Sequence, residues 1–239
     1  MCGIFLYIEN KNKNKHYSTY EYICESSNMC KHRGPDKSLE LNITNSNYNF
    51  YFKFHRLAIN GLSSIGDQPF NKNDIILICN GEIYNYKKLI CKYKLNEELL
   101  KDHSDCEVII DLYLKVGIEE CIKNLDGVFS FVLYDKNKDL IIIGHDPIGV
   151  RSLYWSKNKN ELCIGSELKS LKNLSDNIEM YPPGSYSVIT LNNSIEVNTN
   201  KYYNIEYPIK YTNEQEIMIN IRQKLNDAVI EAFNILYKK

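Results

Sequence analysis

A thiol stands at the second position of the chain, in Met1-Cys2-Gly3. A small second residue permits removal of Met1, and the residue exposed would then carry a nucleophile and a base together, the Cys2 thiol and a free α-amine. Such an amine has a pKa of about 7.7–8.0, near working pH, so it can take the thiol proton directly or through water. On its own the dipeptide reads as an ordinary second residue that happens to be Cys. Its meaning depends on what the rest of the chain places beside it.

Three other segments hold groups that complement such a nucleophile. Asn80-Gly81-Glu82-Ile83-Tyr84-Asn85 follows the apolar run 75–79. Asn-Gly is a turn signal; placed after a strand, the Asn80 amide and the Gly81 N–H could also form an oxyanion hole. His55-Arg56-Leu57-Ala58-Ile59 closes an aromatic run, so that Arg56 either makes a surface salt bridge or grips a carboxylate through two hydrogen bonds. Ser104-Asp105-Cys106-Glu107 reads as a helix start with Asp105 favoured by the dipole, and equally as a carboxylate for a ligand ammonium. Two turn-rich segments remain. His32-Arg33-Gly34-Pro35-Asp36 is a loop that could line a site, and Asp146-Pro147-Ile148-Gly149 reads as a structural turn.

The elements that must position these groups are mostly strands. Residues 4–8 form an apolar run, and Tyr48, Phe50, Phe52 and Phe54 alternate with other residues at the period of a half-buried strand. Further runs lie at 75–79, 128–134, 140–143, 153–155, 162–164 and 186–191. Helices carry start signals, Ser18 with Glu21 and Ser104 with Glu107, and after the second Ile109, Leu112, Tyr113 and Val116 share one helical face. Strand follows strand through short turns, which predicts antiparallel sheets with helices on their outer faces, an α+β sandwich. A last capping pair, Thr212 with Gln215, opens a helix with an apolar stripe of Ile217, Ile221, Leu225, Ala228, Val229, Ala232 and Leu236. We read it as the first element of something else, and its stripe predicts association, a homodimer included.

With 239 residues the chain suits one large domain and a short appendage. Twenty-nine basic against thirty acidic residues give a formal charge of −1, which argues against nucleic acid or an anionic membrane and for a small neutral or zwitterionic ligand. The apolar run at the start stops at Ile8 with no basic stretch before it, so neither a signal peptide nor a membrane span is expected, and the protein is expected in the cytoplasm. Eight cysteines show no C-x-x-C pair and no paired His spacing, which predicts free thiols and no metal site.

Taken in order, Met1-Cys2-Gly3-Ile4, His32-Arg33-Gly34-Pro35-Asp36, His55-Arg56-Leu57-Ala58-Ile59, Gln68-Pro69, Asn80-Gly81-Glu82-Ile83-Tyr84-Asn85, Ser104-Asp105-Cys106-Glu107, Asp146-Pro147-Ile148-Gly149, Gly165-Ser166-Glu167-Leu168-Lys169 and Pro183-Gly184 resemble the glutaminase domain of asparagine synthetase. That domain is a class II glutamine amidotransferase of the N-terminal nucleophile hydrolase superfamily, and the resemblance runs from Cys2 to about Tyr203. It implies a four-layer αββα sandwich of two antiparallel sheets. It makes Cys2 the nucleophile that attacks the side-chain amide of L-glutamine, with Asn80 and Gly81 as the oxyanion hole. Arg56 would hold the α-carboxylate, Leu57, Ala58, Ile59 and Asn60 would shape that wall, and Glu82 and Asp105 would hold the α-ammonium. Within the family the His-Arg-Gly-Pro-Asp and Ser-Asp-Cys-Glu segments favour asparagine synthetase over the glutaminase parts of glucosamine-phosphate or phosphoribosylamine pathway enzymes.

The resemblance divides the chain into a glutaminase domain at 2–210 and, at 211–239, the opening helix of a synthetase domain whose Ser-Gly-Gly-x-Asp-Ser-Ser pyrophosphate loop does not occur here. No cofactor is expected for this chain; ATP and Mg belong to the synthetase domain. A synthetase domain or subunit receiving ammonia is the expected partner. The other function class is a glutamine-binding regulatory module, or a truncated remnant without turnover. His145 and Ser152 depart from the residues usual in the family, and neither touches the expected nucleophile.

Overall fold

The structure, a computed structural model, describes residues 1–12, 20–59, 63–101, 103–205 and 213–237. It comprises two compact units, Met1–Tyr203 and Asn204–Lys239. The expected boundary at residue 210, Ser18 of the first capping pair, Thr212 of the last and Asn60 of the expected site lie outside the described residues.

The first unit is built on two six-stranded antiparallel sheets. One runs β10 (Glu179–Met180), β8 (Tyr154–Lys157), β9 (Glu161–Gly165), β1 (Gly3–Asn10), β3 (Tyr48–Arg56) and β2 (Lys37–Thr44). The other runs β12 (Ile195–Lys201), β11 (Ser185–Leu191), β7 (Leu140–His145), β6 (Gly127–Asp135), β5 (Ile75–Ile83) and β4 (Phe70–Lys72). The period of two in each strand sorts the side chains. Ile4, Leu6, Ile8, Phe50, Phe52 and Phe54 from the first sheet meet Ile76, Ile78, Val132, Tyr134, Ile141 and Ile143 from the second. The alternate residues Cys79, Phe129, Phe131 and Leu133 face outward, where α2 (Tyr86–Tyr93) and α3 (Val108–Asn124) cover them with Leu89, Ile90, Ile109 and Leu112. On the opposite side Phe5, Tyr7 and Tyr51 pack with Ile23 of α1 (Tyr20–Asn28). Three apolar layers between four layers of elements make the αββα sandwich. Each buried Phe or Ile contributes roughly 1.5–3 kcal/mol, enough in sum to hold an uncovered polar pocket at one end of the sheets.

Two details differ from the sequence reading. The alternation in residues 48–54 predicts a half-buried strand, yet in β3 Tyr51 and Lys53 are buried as well as the aromatics between them. Its second face is covered: Tyr51 packs edge-on to Phe5 and Tyr20, and Lys53 pairs with Glu40 at 2.7 Å. The Ser104–Glu107 capping box is only half made. Ser104 Oγ accepts from the Cys106 N–H in a short 3-10 turn ahead of α3, while Glu107 turns to His103 at 2.6 Å and to Lys72 at 3.5 Å.

The second unit contains α4 (Glu214–Tyr237), which begins with the Asn213 side chain accepting from the Gln215 N–H at 2.9 Å. Ile221, Leu225 and Val229 of its predicted stripe are exposed. No helix among the described residues is long and apolar enough to cross a membrane.

Candidate active site

Strands β1, β3 and β5 carry their C- or N-terminal ends to one cavity of about 180 Å³. Its wall includes Met1, Cys2, Arg56, Leu57, Ile59, Gln68, Cys79, Asn80, Gly81, Glu82, Asp105, Cys106 and Arg151. Cys2 stands one residue before β1, a central strand paired on both sides, with Gly3 opposite His55 of β3 and Phe5 opposite Gly165 of β9. Its carbonyl accepts from Arg33 Nε at 2.9 Å, and Arg33 is itself held by Glu167 at 3.1 Å. The next turn of chain is tied by Ser166, whose Oγ accepts from the Ile4 N–H at 3.0 Å. The loop His32-Arg33-Gly34-Pro35-Asp36 therefore anchors Cys2 from behind, and Asp36 accepts from the Ala58 N–H at 2.8 Å on the adjoining wall.

The Cys2 sulfur sits 3.4 Å from the Leu57 N–H and 3.6 Å from the Leu57 carbonyl. Burial pushes its thiol upward from the ordinary value, partly offset by the Leu57 backbone and by the positive N-terminus. A thiol kept protonated in this way needs a base at hand before it can attack.

Asn80, Gly81 and Glu82 do not form a turn. They continue β5, where they pair with Ser130, Phe129 and Val128 of β6. An antiparallel ladder alternates the direction of its backbone groups, and here residues 79, 81 and 83 present theirs to the edge away from β6. Gln68 takes the first, accepting from the Cys79 N–H at 2.6 Å and donating to its carbonyl at 3.2 Å. Asp105 takes the last, its Oδ2 accepting from the Ile83 N–H at 2.6 Å. Cys106 donates to the Gly81 carbonyl at 3.4 Å, which leaves the Gly81 N–H on the cavity edge. Only glycine fits at 81: a Cβ there would lie 2.4 Å from the Val128 carbonyl oxygen and 2.6 Å from the Phe129 Cα. Beside it Asn80 is 1% exposed, and its Nδ2 is buried with no hydrogen-bond partner among the described residues. An unsatisfied buried donor costs about 1–3 kcal/mol, so its survival on a cavity wall marks a place where a ligand acceptor belongs.

The charges are arranged around that donor. Arg56 is buried, with Nη1 held 2.5 Å from Asp67 and 3.0 Å from the Ser63 carbonyl, and Lys37 shares the same Asp67 carboxylate. It is thus a buried ion-paired group on the cavity and not the surface salt bridge that was the plainer expectation. Glu82 and Asp105 supply two carboxylates, and Arg151 reaches Glu82 at 3.3 Å. The structure brings Cys2, Arg56, Leu57, Ile59, Asn80, Gly81, Glu82 and Asp105 to one cavity, while Ala58 is not part of its wall. Gln68, Cys79, Cys106 and Arg151 also line it and were not assigned to it by sequence. Gln68-Pro69 was visible as a segment of the resemblance, but the edge that Gln68 completes becomes apparent only with β5 in place.

Asp146-Pro147-Ile148-Gly149 proves structural, as expected. The Asp146 carboxylate collects the N–H groups of Phe129, Ile148, Gly149, Val150 and Arg151 at 2.6–3.2 Å. Gly149 closes the turn with φ at +72°, a conformation that favours glycine. Among the described residues no group of three or more His, Cys, Asp or Glu is arranged to hold a metal ion.

The chain matches the family described as glutamine amidotransferase domain over residues 1–207. It is 42% identical over 165 residues to a probable glutamine-hydrolysing asparagine synthetase of Schizosaccharomyces pombe, covering 67% of this chain and 28% of that protein. It is 36% identical over 173 residues to glutamine-hydrolysing asparagine synthetase 2 of Bacillus subtilis, covering 72% of this chain and 22% of that one. This chain spans between 22% and 41% of the length of such relatives. Among solved structures, the glutamine phosphoribosylpyrophosphate amidotransferase of B. subtilis superposes with a TM-score of 0.60 at 18% identity, covering 82% of this chain and 49% of that one, a likeness of fold. Fold, ordered motifs and the family match agree: the chain belongs to the glutamine amidotransferase domain family.

Proposed function

We propose that this domain hydrolyses L-glutamine to glutamate and ammonia, with Cys2 as nucleophile once the residue before it has been removed. The observation that carries this reading is the meeting, in one cavity, of the Cys2 thiol and the partnerless Asn80 Nδ2. The freed Cys2 α-amine, of pKa about 7.7–8.0, takes the thiol proton through water. The thiolate then adds to the amide carbon, and the oxygen that becomes negative is met by Asn80 Nδ2–H and the Gly81 N–H. Protonation of the amide nitrogen releases ammonia and leaves a glutamyl thioester. Water, deprotonated by the same amine, attacks the thioester carbon and frees glutamate and the thiol.

Two guanidiniums and two carboxylates around a small cavity suit a free amino acid, whose α-carboxylate and α-ammonium both need partners. Arg56 suits the first, with Leu57 and Ile59 on the adjoining wall; Glu82 and Asp105 suit the second. No cofactor enters these steps. The ammonia is passed to a synthetase domain or subunit, a reading supported by the similarity to longer glutamine-hydrolysing asparagine synthetases.

The test is glutamate release from glutamine by purified protein whose N-terminal residue has been verified as Cys2. Turnover is expected, and Cys2→Ala should lower it by at least a thousandfold, to background. An intact Cys2 N-terminus with no glutamate produced would leave a glutamine-binding module and overturn the enzyme reading.

A further inference from the structure

The turn after β7 has a use that a purely structural role does not account for. Asp146 fixes the Arg151 N–H at 3.1 Å, and His145 Nε2 contacts the Arg151 carbonyl at 2.8 Å, so the backbone of Arg151 is held on both sides. The side chain then crosses to the cavity, where Nη2 lies 3.3 Å from Glu82 Oε1. The Glu82 side chain has no other hydrogen-bond or ion-pair partner among the described residues. A carboxylate on a strand end with one partner takes its direction from that partner.

We propose that Arg151 is a positioning residue that sets the specificity of the pocket for a free α-amine. This rests on the reading of the cavity as a glutamine site. Arg151 holds one oxygen of Glu82 and leaves the other for a ligand ammonium. It acts through Glu82 and touches no reacting atom. Without it Glu82 is free to rotate, and the site must spend binding energy to order it again.

The experiment compares L-glutamine with glutaramate, the same side-chain amide without the α-ammonium, by calorimetric binding and by kcat/KM, in wild type, Arg151→Met, Glu82→Gln and the double variant. Arg151→Met is expected to lower the preference for glutamine over glutaramate about tenfold. Glu82→Gln lowers it at least as much, and the double variant resembles Glu82→Gln because both changes remove one function. Arg151→Lys, which retains the charge and stem without the planar fork, should show a smaller loss and serves where the Met variant does not fold. Independent effects that multiply in the double variant, equal weakening of both ligands, or failure of both Arg151 variants to fold would overturn the proposal. A wild-type protein that binds glutamine without hydrolysing it defeats the turnover reading alone, since the binding preference is still measured. One that binds neither ligand overturns both.

Discussion

Asn80-Gly81-Glu82 and Asp146-Pro147-Ile148-Gly149 both carry turn-forming residues, and the protein uses them in opposite ways. The first is pulled into β5 and keeps a buried amide nitrogen with no partner. The second closes on itself, and one carboxylate takes five backbone N–H groups. Both are nearly inaccessible, Asn80 and Asp146 each being 1% exposed, so burial does not distinguish them. Hydrogen-bond saturation does. A saturated buried group has completed its work within the fold, whereas an unsatisfied one on a cavity wall retains the capacity to bind.

Substitutions should separate the two along different axes. Asn80→Ala is expected to reduce the rate of glutamate release about a hundredfold to a thousandfold, the usual loss for one oxyanion donor, and to leave glutamine binding within about threefold. A rate within about threefold of wild type would show that the amide is only a wall. Asp146→Ala should cost about 3 kcal/mol, or roughly 6–12 °C in Tm, because it strands buried N–H donors. Thermal denaturation decides it, and an unchanged Tm would remove the contrast on which the comparison depends. Asp105→Asn tests a group with a share in both roles, since its carboxylate holds the Ile83 N–H at 2.6 Å while lining the cavity. The amide oxygen can still accept that bond. Glutamine binding should therefore weaken about tenfold with Tm shifting by no more than about 2 °C; a collapse of Tm would place Asp105 with Asp146.

Much of the sandwich was legible because burial leaves a periodic trace. The runs that became β1, β3, β6, β7, β9 and β11 alternate or cluster apolar residues at strand period, and Ile109, Leu112 and Tyr113 marked the buried face of α3. Edge strands left less. In β2 most side chains are exposed or half-buried, and Lys37, Glu40 and Asn42 dilute its pattern; β12 is similarly polar, and β4 and β10 are too short to show a period. Of the site, the residues carried by ordered motifs could be named. Asp67, Cys79 and Arg151 could not, and Gln68 and Cys106, though they stand in ordered motifs, could be given no part in it, because these parts depend on edges and turns that only the assembled sheets create. Asn80 shows the limit most directly: local residue types favour a turn, and nine paired residues of β5 against β6 override them.

The place of β1 in its sheet also has a consequence for the order of events during synthesis. Its neighbours in the folded sheet are residues 48–55 on one side and 161–165 on the other. At about 5–20 residues per second, the second of these emerges from the ribosome roughly 8–30 s after β1 itself. During that interval the segment around Cys2 has no partner strand on that side and remains open to a peptidase. Once β9 has paired, residues 5–9 lie between two strands, while Met1, ahead of the strand, stays 53% exposed. Removal of the residue before Cys2 can thus begin while the chain is still being made, before the sheet around β1 is complete.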